Sequence, residues 1–586
     1  MTTSTTNANS LLAIDIGTTS TRALLFDVVD GQYRFLVDGT APSTAGAPFF
    51  NIGEGVRRAI DDLAALTGRR LIDDHENLIM PSLSDNSGVD ALVATMSAGD
   101  PLRVIAVGLL EDVTLASAQR LAATTYAQVA DTIKLNDRRQ TADRINTVLR
   151  IRPDLVIVAG GTDNGASQSV LDLIEAVGLA SYLSPESQTP HILFAGNQEI
   201  QKEVSSALKG IGKLHIAPNI RPTLNLEDIS PAQGELTSIF KIIRQAQIGG
   251  VNELVGWAKG NLSPTAVAFS RVIRFLSKKY DPDKGVLGVD VGSQSTMVAA
   301  AFNGKETLRV YPYLGVGTGS VETLQKSTLT GITRWLRFDI SEDVVRNYIY
   351  NKAAHPHSLP VTKEELAIEQ ALARQALLLA VKNSLSDFPP NIPRPALNIL
   401  PWVEPIIAAG SVISKAPSSG QALLILLDGI QPTGITTVVV DQNNLSPALG
   451  AAARINPLLT VQIIESSTFL NLGTIIAPVG KARFGTPILR VRMTNRAGVV
   501  TTREIKYGTL EVLPVKMGEK VRLHLRPLHQ FDIGMGRPGK AGEVQAVGGA
   551  AGIVIDARGR PLYFSPDPNR RLKLAQKWHH VITRKI

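Results

Sequence analysis

The feature that most constrains this chain is a short design that occurs twice. Residues 11–26 read LLAIDIGTTSTRALLF and residues 285–302 read GVLGVDVGSQSTMVAAAF. Each is an apolar run ending in an acid, then a Gly among hydroxyl residues, then a second apolar run. That order predicts a strand, a tight turn and a returning strand, with Gly17 and Gly292 supplying dihedrals a Cβ would forbid. Backbone N–H groups of such a turn converge on an anion. The hydroxyls of Thr18, Thr19, Ser293 and Ser295 add donors around them. Asp15 and Asp290, at the strand ends, are placed to hold a hydrated divalent cation against phosphate oxygens. One Gly turn usually means only a turn; two copies a domain's length apart point to a magnesium nucleotide.

At 586 residues the chain exceeds one ordinary core, and its 44% hydrophobic content is ample for burial. No apolar run reaches the roughly 18 residues that a membrane span requires. The start, MTTSTTNANS, reads as a frayed polar tail without a signal core. The absence of Cys rules out disulfides, thiolate metal sites and a Cys nucleophile, and fits a cytoplasmic protein. The nine His form no H-E-x-x-H arrangement, and no Walker A, Rossmann or G-x-S-x-G motif stands in context.

The net charge of +8 is uneven: from Lys481 onward there are 21 Lys and Arg against 7 Asp and Glu. A solvated basic face is the simpler reading of that tail. An acidic protein surface is the functional one, and nucleic acid is disfavoured because no aromatic-interleaved motif accompanies the charge.

Along the chain, residues 51–66 carry helical spacing ending before Gly68, and residues 141–196 carry the clearest α/β pattern. There the strand DLVIVAGG opens into a Gly-Gly-Thr-Asp turn, making Gly160, Gly161, Asp163 and Asn164 candidates to line a crevice or to cap a helix. Residues 313–320, YLGVGTGS, read as a flexible connector. Residues 361–381 read as a helix opened by a Thr362/Glu365 capping box. IIAAGSVIS is a strand running into Gly410-Ser411. From residue 456 the sequence alternates strands with turns until KLAQKWHH, with DARG as a hairpin turn, and predicts a separate basic β domain.

The paired hairpins resemble the two phosphate loops of the superfamily of sugar kinases, heat-shock chaperone ATPases and actin (ASKHA). The series VAGGTDNG, FAGNQE, APNIRPTLNLEDISPAQGEL and LSPTAVAFSRVIRFLSKKY, just ahead of GVLGVDVGSQST, is similar to the MutL accessory proteins of glutamate mutase (methylaspartate mutase). These are unrelated to the mismatch-repair protein of that name. The resemblance implies an α/β, two-lobed actin-like ATPase fold with an added C-terminal β-rich domain. Its expected boundaries are a tail at 1–10, a first lobe at 11–283 with an α/β insertion, a second lobe at 284–455 and the basic domain at 456–586. It implies ATP or ADP with Mg2+ clamped between the lobes by Asp15, Gly17, Thr18, Thr19, Asp290, Gly292, Ser293, Gln294 and Ser295, with Gly410 and Ser411 near adenosine. Asp15 and Asp290 would hold the metal. The implied role is that of an ATP-driven reactivating factor for an adenosylcobalamin-dependent mutase, without a membrane or nucleic-acid partner. One departure matters: where the second loop of the superfamily ends in an acid, this chain has Met297, and its second Gly is replaced by Ser293. That favours binding with slow or absent hydrolysis, and hence an alternative role as a nucleotide-binding scaffold that docks an acidic partner. A small-molecule kinase is a third class, without a recognisable substrate base.

Overall fold

The computed structural model describes residues 8–584. Residues 1–7 of the expected tail lie outside them; of the remainder, the Ala8 carbonyl accepts from Tyr33 Oη at 2.9 Å and from Asn456 Nδ2 at 3.4 Å. The chain separates into two compact units. One comprises Ala13–Ala23 and Gly39–Val267; the other comprises Leu24–Asp38 and the chain from Ala268 onward, with the N-terminal residues through Leu12.

The organising fact is a repeated strand order. One five-stranded sheet runs Gln32–Pro42, Ser20–Val29, Leu11–Ile16, Ala91–Met96, Leu262–Pro264. An eight-stranded sheet begins Lys305–Pro312, Ser295–Phe302, Gly285–Val291, Val403–Ala409, Gly434–Val440. Numbered by chain order within each sheet, both read three-two-one-four-five. In the second, the first three strands are antiparallel and the next two join in parallel. Both first strands sit inside their sheets, which explains their unbroken apolar runs. In Leu11–Ile16 and in Gly285–Val291 alike, the one residue not fully buried is the aspartate. The α/β fold built twice, expected from the paired hairpins, is present in the sheets themselves.

Between strands Ala91–Met96 and Leu262–Pro264 lies a separate all-parallel sheet. Its order is Ala127–Lys134, Leu102–Gly108, Leu155–Ala159, His191–Phe194, Lys213–Ile216. That is the doubly wound two-one-three-four-five arrangement. Its core is a cluster of Val, Ile and Leu such as Ile105, Val107, Val156 and Val158.

The strands after residue 456 go to two places. Leu470–Ala477, Ile553–Asp556 and Leu510–Leu513 extend the eight-stranded sheet, whereas Val500–Lys506, Pro487–Thr494, Lys520–Pro527 and Gly542–Val547 form a four-stranded sheet. Two local expectations are corrected here. Residues 457–464 are a helix, Pro457–Ile464, with Asn456 Oδ1 capping the Leu459 N–H at 3.0 Å. Its apolar residues run all round, which hides the helical period, and its neighbours pull the reading toward strand. The DARG segment is not a turn between paired strands: Ile553–Asp556 ends on its first residue, and the next element is helix Pro568–Thr583. Asp556 is instead fully buried, taking Arg558 Nε at 2.8 Å and Arg560 Nη2 at 2.8 Å. Two guanidiniums hold that carboxyl far below the usual carboxylate range despite its burial.

Helix Lys363–Ser384 opens as its sequence implies. Thr362 Oγ1 accepts from the Glu365 N–H at 3.1 Å, and Glu365 Oε2 accepts from the Thr362 N–H at 3.2 Å.

Candidate functional site

The first turn connects Leu11–Ile16 to Ser20–Val29. The Gly17 N–H donates to the Ser20 carbonyl at 2.9 Å, and the N–H groups of Ser97 and Ala98 donate to the Ile16 carbonyl at 2.9 and 3.2 Å. Those last two bonds pin the carboxyl end of the first strand to the residues that follow the fourth. Asp15 stands beside two hydroxyls: Thr95 Oγ1 donates to its Oδ1 at 2.6 Å and Thr265 Oγ1 at 3.2 Å. Burial pushes the Asp15 carboxyl above the ordinary carboxylate value, while the Thr95 hydrogen bond, the charge of Arg22 and Thr265 pull it back. A carboxylate in that balance gains from a cation. Thr19 gives its carbonyl to the Ser43 N–H at 2.9 Å, but its Oγ1 is buried without a hydrogen-bond partner. Thr18 is partly exposed at the tip.

The second turn repeats the first. The Gly292 N–H donates to the Ser295 carbonyl, also at 2.9 Å. The physical reason for glycine differs from the one its sequence suggests: neither Gly17 nor Gly292 is among the residues of positive φ. What Gly supplies is clearance, because an added Cβ would come within 3.0 Å of the Ser20 carbonyl oxygen and 3.1 Å of the Ser295 one.

Around the second turn the surroundings diverge. Residues 313–320 are not a connector but a cradle wrapped on Ser293. The Gly317 and Gly319 N–H groups donate to the Ser293 carbonyl at 2.8 and 3.0 Å, and the Thr318 N–H donates to Ser293 Oγ at 3.1 Å. A Cβ on Gly317 would fall 2.1 Å from Ser293 Oγ. The glycines there are contact residues, which a loop-like composition conceals. Thr318 Oγ1 is buried with no partner, as Thr19 Oγ1 is in the first unit. Gln294 and Ser295 are partly exposed at the tip.

Gly410 joins this second group. Strand Val403–Ala409 pairs with the first strand so that Ala409 lies opposite Asp290. Gly410 then adopts φ of 105°, and a Cβ there would meet the Val291 carbonyl oxygen at 2.3 Å and Asp290 Oδ1 at 3.0 Å. Its N–H donates to Asn444 Oδ1 at 3.2 Å. Ser411 follows, exposed, at the start of the short helix Ser411–Ser414.

Within each unit the structure therefore gathers the sequence-derived candidates: Asp15, Gly17, Thr18 and Thr19 in one; Asp290, Gly292, Ser293, Gln294, Ser295, Gly410 and Ser411 in the other. Sequence reasoning missed Thr95 and Thr265, whose only signal is a hydroxyl at a strand or helix end. It also missed Asp441, which is buried and caps helix Ser446–Ala452 through the Leu445 and Ser446 N–H groups at 2.8 and 2.7 Å. Met297 lies directly across the strand pair from Asp290 and is 3% exposed. An apolar side chain thus occupies the cross-strand neighbour of the second aspartate.

The doubly wound sheet places Gly160 and Gly161 at a strand end as expected, but Asp163 is occupied. Its Oδ1 accepts from the Gln198 N–H at 3.1 Å and from Asn219 Nδ2 at 2.9 Å. It ties together the loops after three strands and takes the first N–H of the short helix Gln198–Ile200, whereas the residue preceding helix Gln168–Leu183 is Ser167. Asn164, of positive φ, completes that turn.

Among the described residues, no group of three or more His, Asp or Glu side chains is arranged to hold a metal. A cation at Asp15 or Asp290 would keep most of its water, the usual habit of Mg2+. Among the same residues no helix is long and apolar enough to cross a membrane.

Comparison with known proteins adds the following. The model of a family described as MutL protein matches residues 11–468. The sequence is 26% identical over 361 residues to Protein MutL of Clostridium tetanomorphum, covering 56% of this chain and 74% of that one. Among solved structures, a nucleotide-free acetone carboxylase is 13% identical with a TM-score of 0.30, covering 86% of this chain and 81% of that one. The activator of 2-hydroxyisocaproyl-CoA dehydratase from Clostridium difficile, with bound ADPNP, is 11% identical with a TM-score of 0.29, covering 78% and 98%. Xylulose kinase from Bifidobacterium adolescentis is 13% identical with a TM-score of 0.26, covering 78% and 93%.

Proposed function

The chain belongs to the MutL protein family, and from that premise we propose that it binds a magnesium nucleotide and acts as the ATP-driven accessory factor of an adenosylcobalamin-dependent mutase of the glutamate mutase type. The observation that carries the nucleotide half of this reading is the duplication: the same strand order, the same partly exposed aspartate, and the same 2.9 Å Gly N–H to Ser carbonyl bond in each copy. The mutase half rests on family membership.

Each turn by itself carries groups suited to such a ligand. Buried, unpartnered hydroxyls at Thr19 and Thr318 stand beside the two turns, and each is costly unless something accepts from it. The backbone N–H groups and hydroxyls of Thr18, Thr19, Gln294 and Ser295 would receive phosphate oxygens. Asp15 and Asp290 would hold water on the magnesium, and Gly410 with Ser411 would leave room for adenosine. Bound Mg2+ supplies neutralisation of phosphate charge. Asp15 would then be held ionised, with Thr95 and Thr265 fixing its orientation. The nucleotide state would alter affinity for the mutase through differential closure, the general logic of such switches.

A specific observation favours a second reading, in which turnover is lost and the chain is a nucleotide-binding scaffold for an acidic partner. Met297 leaves no carboxylate opposite Asp290 to place water. The four-stranded sheet also exposes Arg492, Arg522 and Arg526 on adjoining strands, whereas Arg490, across from Arg526, is bridged to Glu504 at 2.6 Å. An exposed basic face of that kind attracts an anionic surface.

Calorimetry of ATP and ADP with Mg2+ on the wild type and on Asp15→Ala, with phosphate release followed in the same samples, separates these readings. Binding weakened at least tenfold in the variant, together with release stimulated by a mutase, supports the accessory ATPase. Binding without release supports the scaffold, and no binding removes both.

A further inference from the structure

In the unit that carries Asp290, a cavity of about 690 Å3 opens between helix Lys363–Ser384, the Pro-rich residues 390–400 and residues 560–564. It shares no residue with the hairpin group. Its walls are apolar, including Leu378, Val381, Leu385, Phe388, Leu562 and Phe564, yet its charged lining is all cationic: Arg334, Lys382, Arg394 and Arg560. Its volume suits a small organic ligand.

Arg334 is the unusual member. Its Nη2 donates to Gln375 Oε1 at 3.0 Å, and its guanidinium stacks 5.0 Å from the rings of both Trp335 and Phe564. Its Nε is buried with no hydrogen-bond partner, and it forms no ion pair among the described residues. Burial alone lowers the pKa of this guanidinium, with no carboxylate offsetting the shift. Trp335 and Phe564 solvate its face but leave its edge unanswered.

Its neighbours do not supply the missing charge. Arg334 and Phe564 also line a second, smaller hollow of about 30 Å3, shared with Arg337, Arg374, Arg571 and the single carboxylate Asp428. Asp428 is already committed to Arg374 Nε at 2.7 Å and Arg558 Nη1 at 2.6 Å. Asp556 is committed to Arg558 and Arg560. Arg337 donates to the ring of His579, whose pKa burial and that guanidinium depress to about 4, so the imidazole adds no charge at neutral pH. Arg374, Arg558 and Arg560 thus take up both buried carboxylates, and Arg334 pairs with neither. Arg334 is half-buried and has no counterion among the described residues, and a guanidinium matches carboxylate geometry.

We propose that this cavity is a binding site for an amphipathic carboxylate, its apolar body lying between helix Lys363–Ser384 and residues 390–400 and its head group on the accessible part of the Arg334 guanidinium. Both parts are needed: the volume is too large and too apolar for an inorganic anion, and the unpaired guanidinium has no use for an uncharged hydrocarbon.

The test is calorimetric titration of the full chain with decanoate, decanol and inorganic phosphate, repeated on Arg334→Gln and Leu385→Trp, with thermal unfolding of each variant alone to verify folding. Decanoate is expected to bind, with decanol and phosphate at least tenfold weaker. Arg334→Gln should bring decanoate down to the level of decanol, and Leu385→Trp, which fills the cavity away from Arg334, should weaken decanoate at least tenfold. Equal binding of decanol and decanoate, binding of phosphate alone, no decanoate binding, or decanoate affinity unchanged in Leu385→Trp would each overturn the proposal. The three-ligand comparison on the wild type decides the matter even if a variant fails to fold.

Discussion

The two Gly turns share a plan and differ in what surrounds them. Around the first, Asp15 is held by side chains, the hydroxyls of Thr95 and Thr265, and its carboxyl is pushed up by burial. Around the second, backbone does the holding: residues 313–320 close on Ser293, and Gly410 packs against Val291 and Asp290 with no room for a Cβ. Side-chain support can be tuned by one substitution without moving the chain. Backbone support cannot, because every contact is set by main-chain position. The first turn is therefore the adjustable one and the second the fixed one.

The largest effect should come from adding one carbon to the fixed side. Gly410→Ala places a Cβ 2.3 Å from the Val291 carbonyl oxygen and 2.9 Å from its nitrogen at a φ of 105°, and main chain cannot swing away as the Asp290 carboxylate could. It should cost about 3 kcal/mol or more, read as a lowered denaturation midpoint, and should abolish nucleotide binding in whatever fraction folds. If Gly410→Ala is as stable as wild type, backbone support of the second turn is an overstatement.

A gain is expected from Met297→Asp. It restores a carboxylate across the strand from Asp290, and phosphate release in the presence of ATP and Mg2+ should rise severalfold if that acid is what turnover lacks. The substitution buries a charge, so folding must be checked without nucleotide. An unchanged rate with intact binding would leave the slow step elsewhere.

The smallest effect concerns pH and the adjustable side. A carboxyl whose folded pKa lies above its unfolded value stabilises the protein fully below the unfolded value near 3.8, and that contribution is lost as pH rises through the folded pKa. Asp15→Asn removes the titration. In the absence of Mg2+, the melting temperature of wild type relative to Asp15→Asn should fall as pH is raised from 4 toward 7, and added Mg-nucleotide should restore wild type only. A difference that does not vary with pH would mean that the carboxyl is not destabilised by its burial.

Much of this was legible in the chain because the signals are local. The paired hairpins, the Thr362 capping box and the strand into Gly410 each announce themselves within a few residues. The rest depends on contacts distant in sequence. Nothing in YLGVGTGS distinguishes a slack loop from one whose glycines touch Ser293, since both need small residues. No strand after residue 456 carries a mark of which sheet it joins: Pro487–Thr494 and Leu510–Leu513 both interleave apolar with charged residues and part company. Thr95 and Thr265 are ordinary hydroxyls until the fold sets them beside Asp15.

The path of the chain after the family-matched region has a consequence for anyone wishing to shorten the protein. Strand Leu470–Ala477 begins just beyond residue 468 and pairs along the whole of Gly434–Val440. Cutting there would strip hydrogen-bond partners from a strand of mostly Val, Ile and Thr and leave an open, sticky border of the kind that recruits other copies. The last hundred-odd residues are thus masonry as well as ornament, and a minimal version of this molecule must carry at least the three strands that finish its larger sheet.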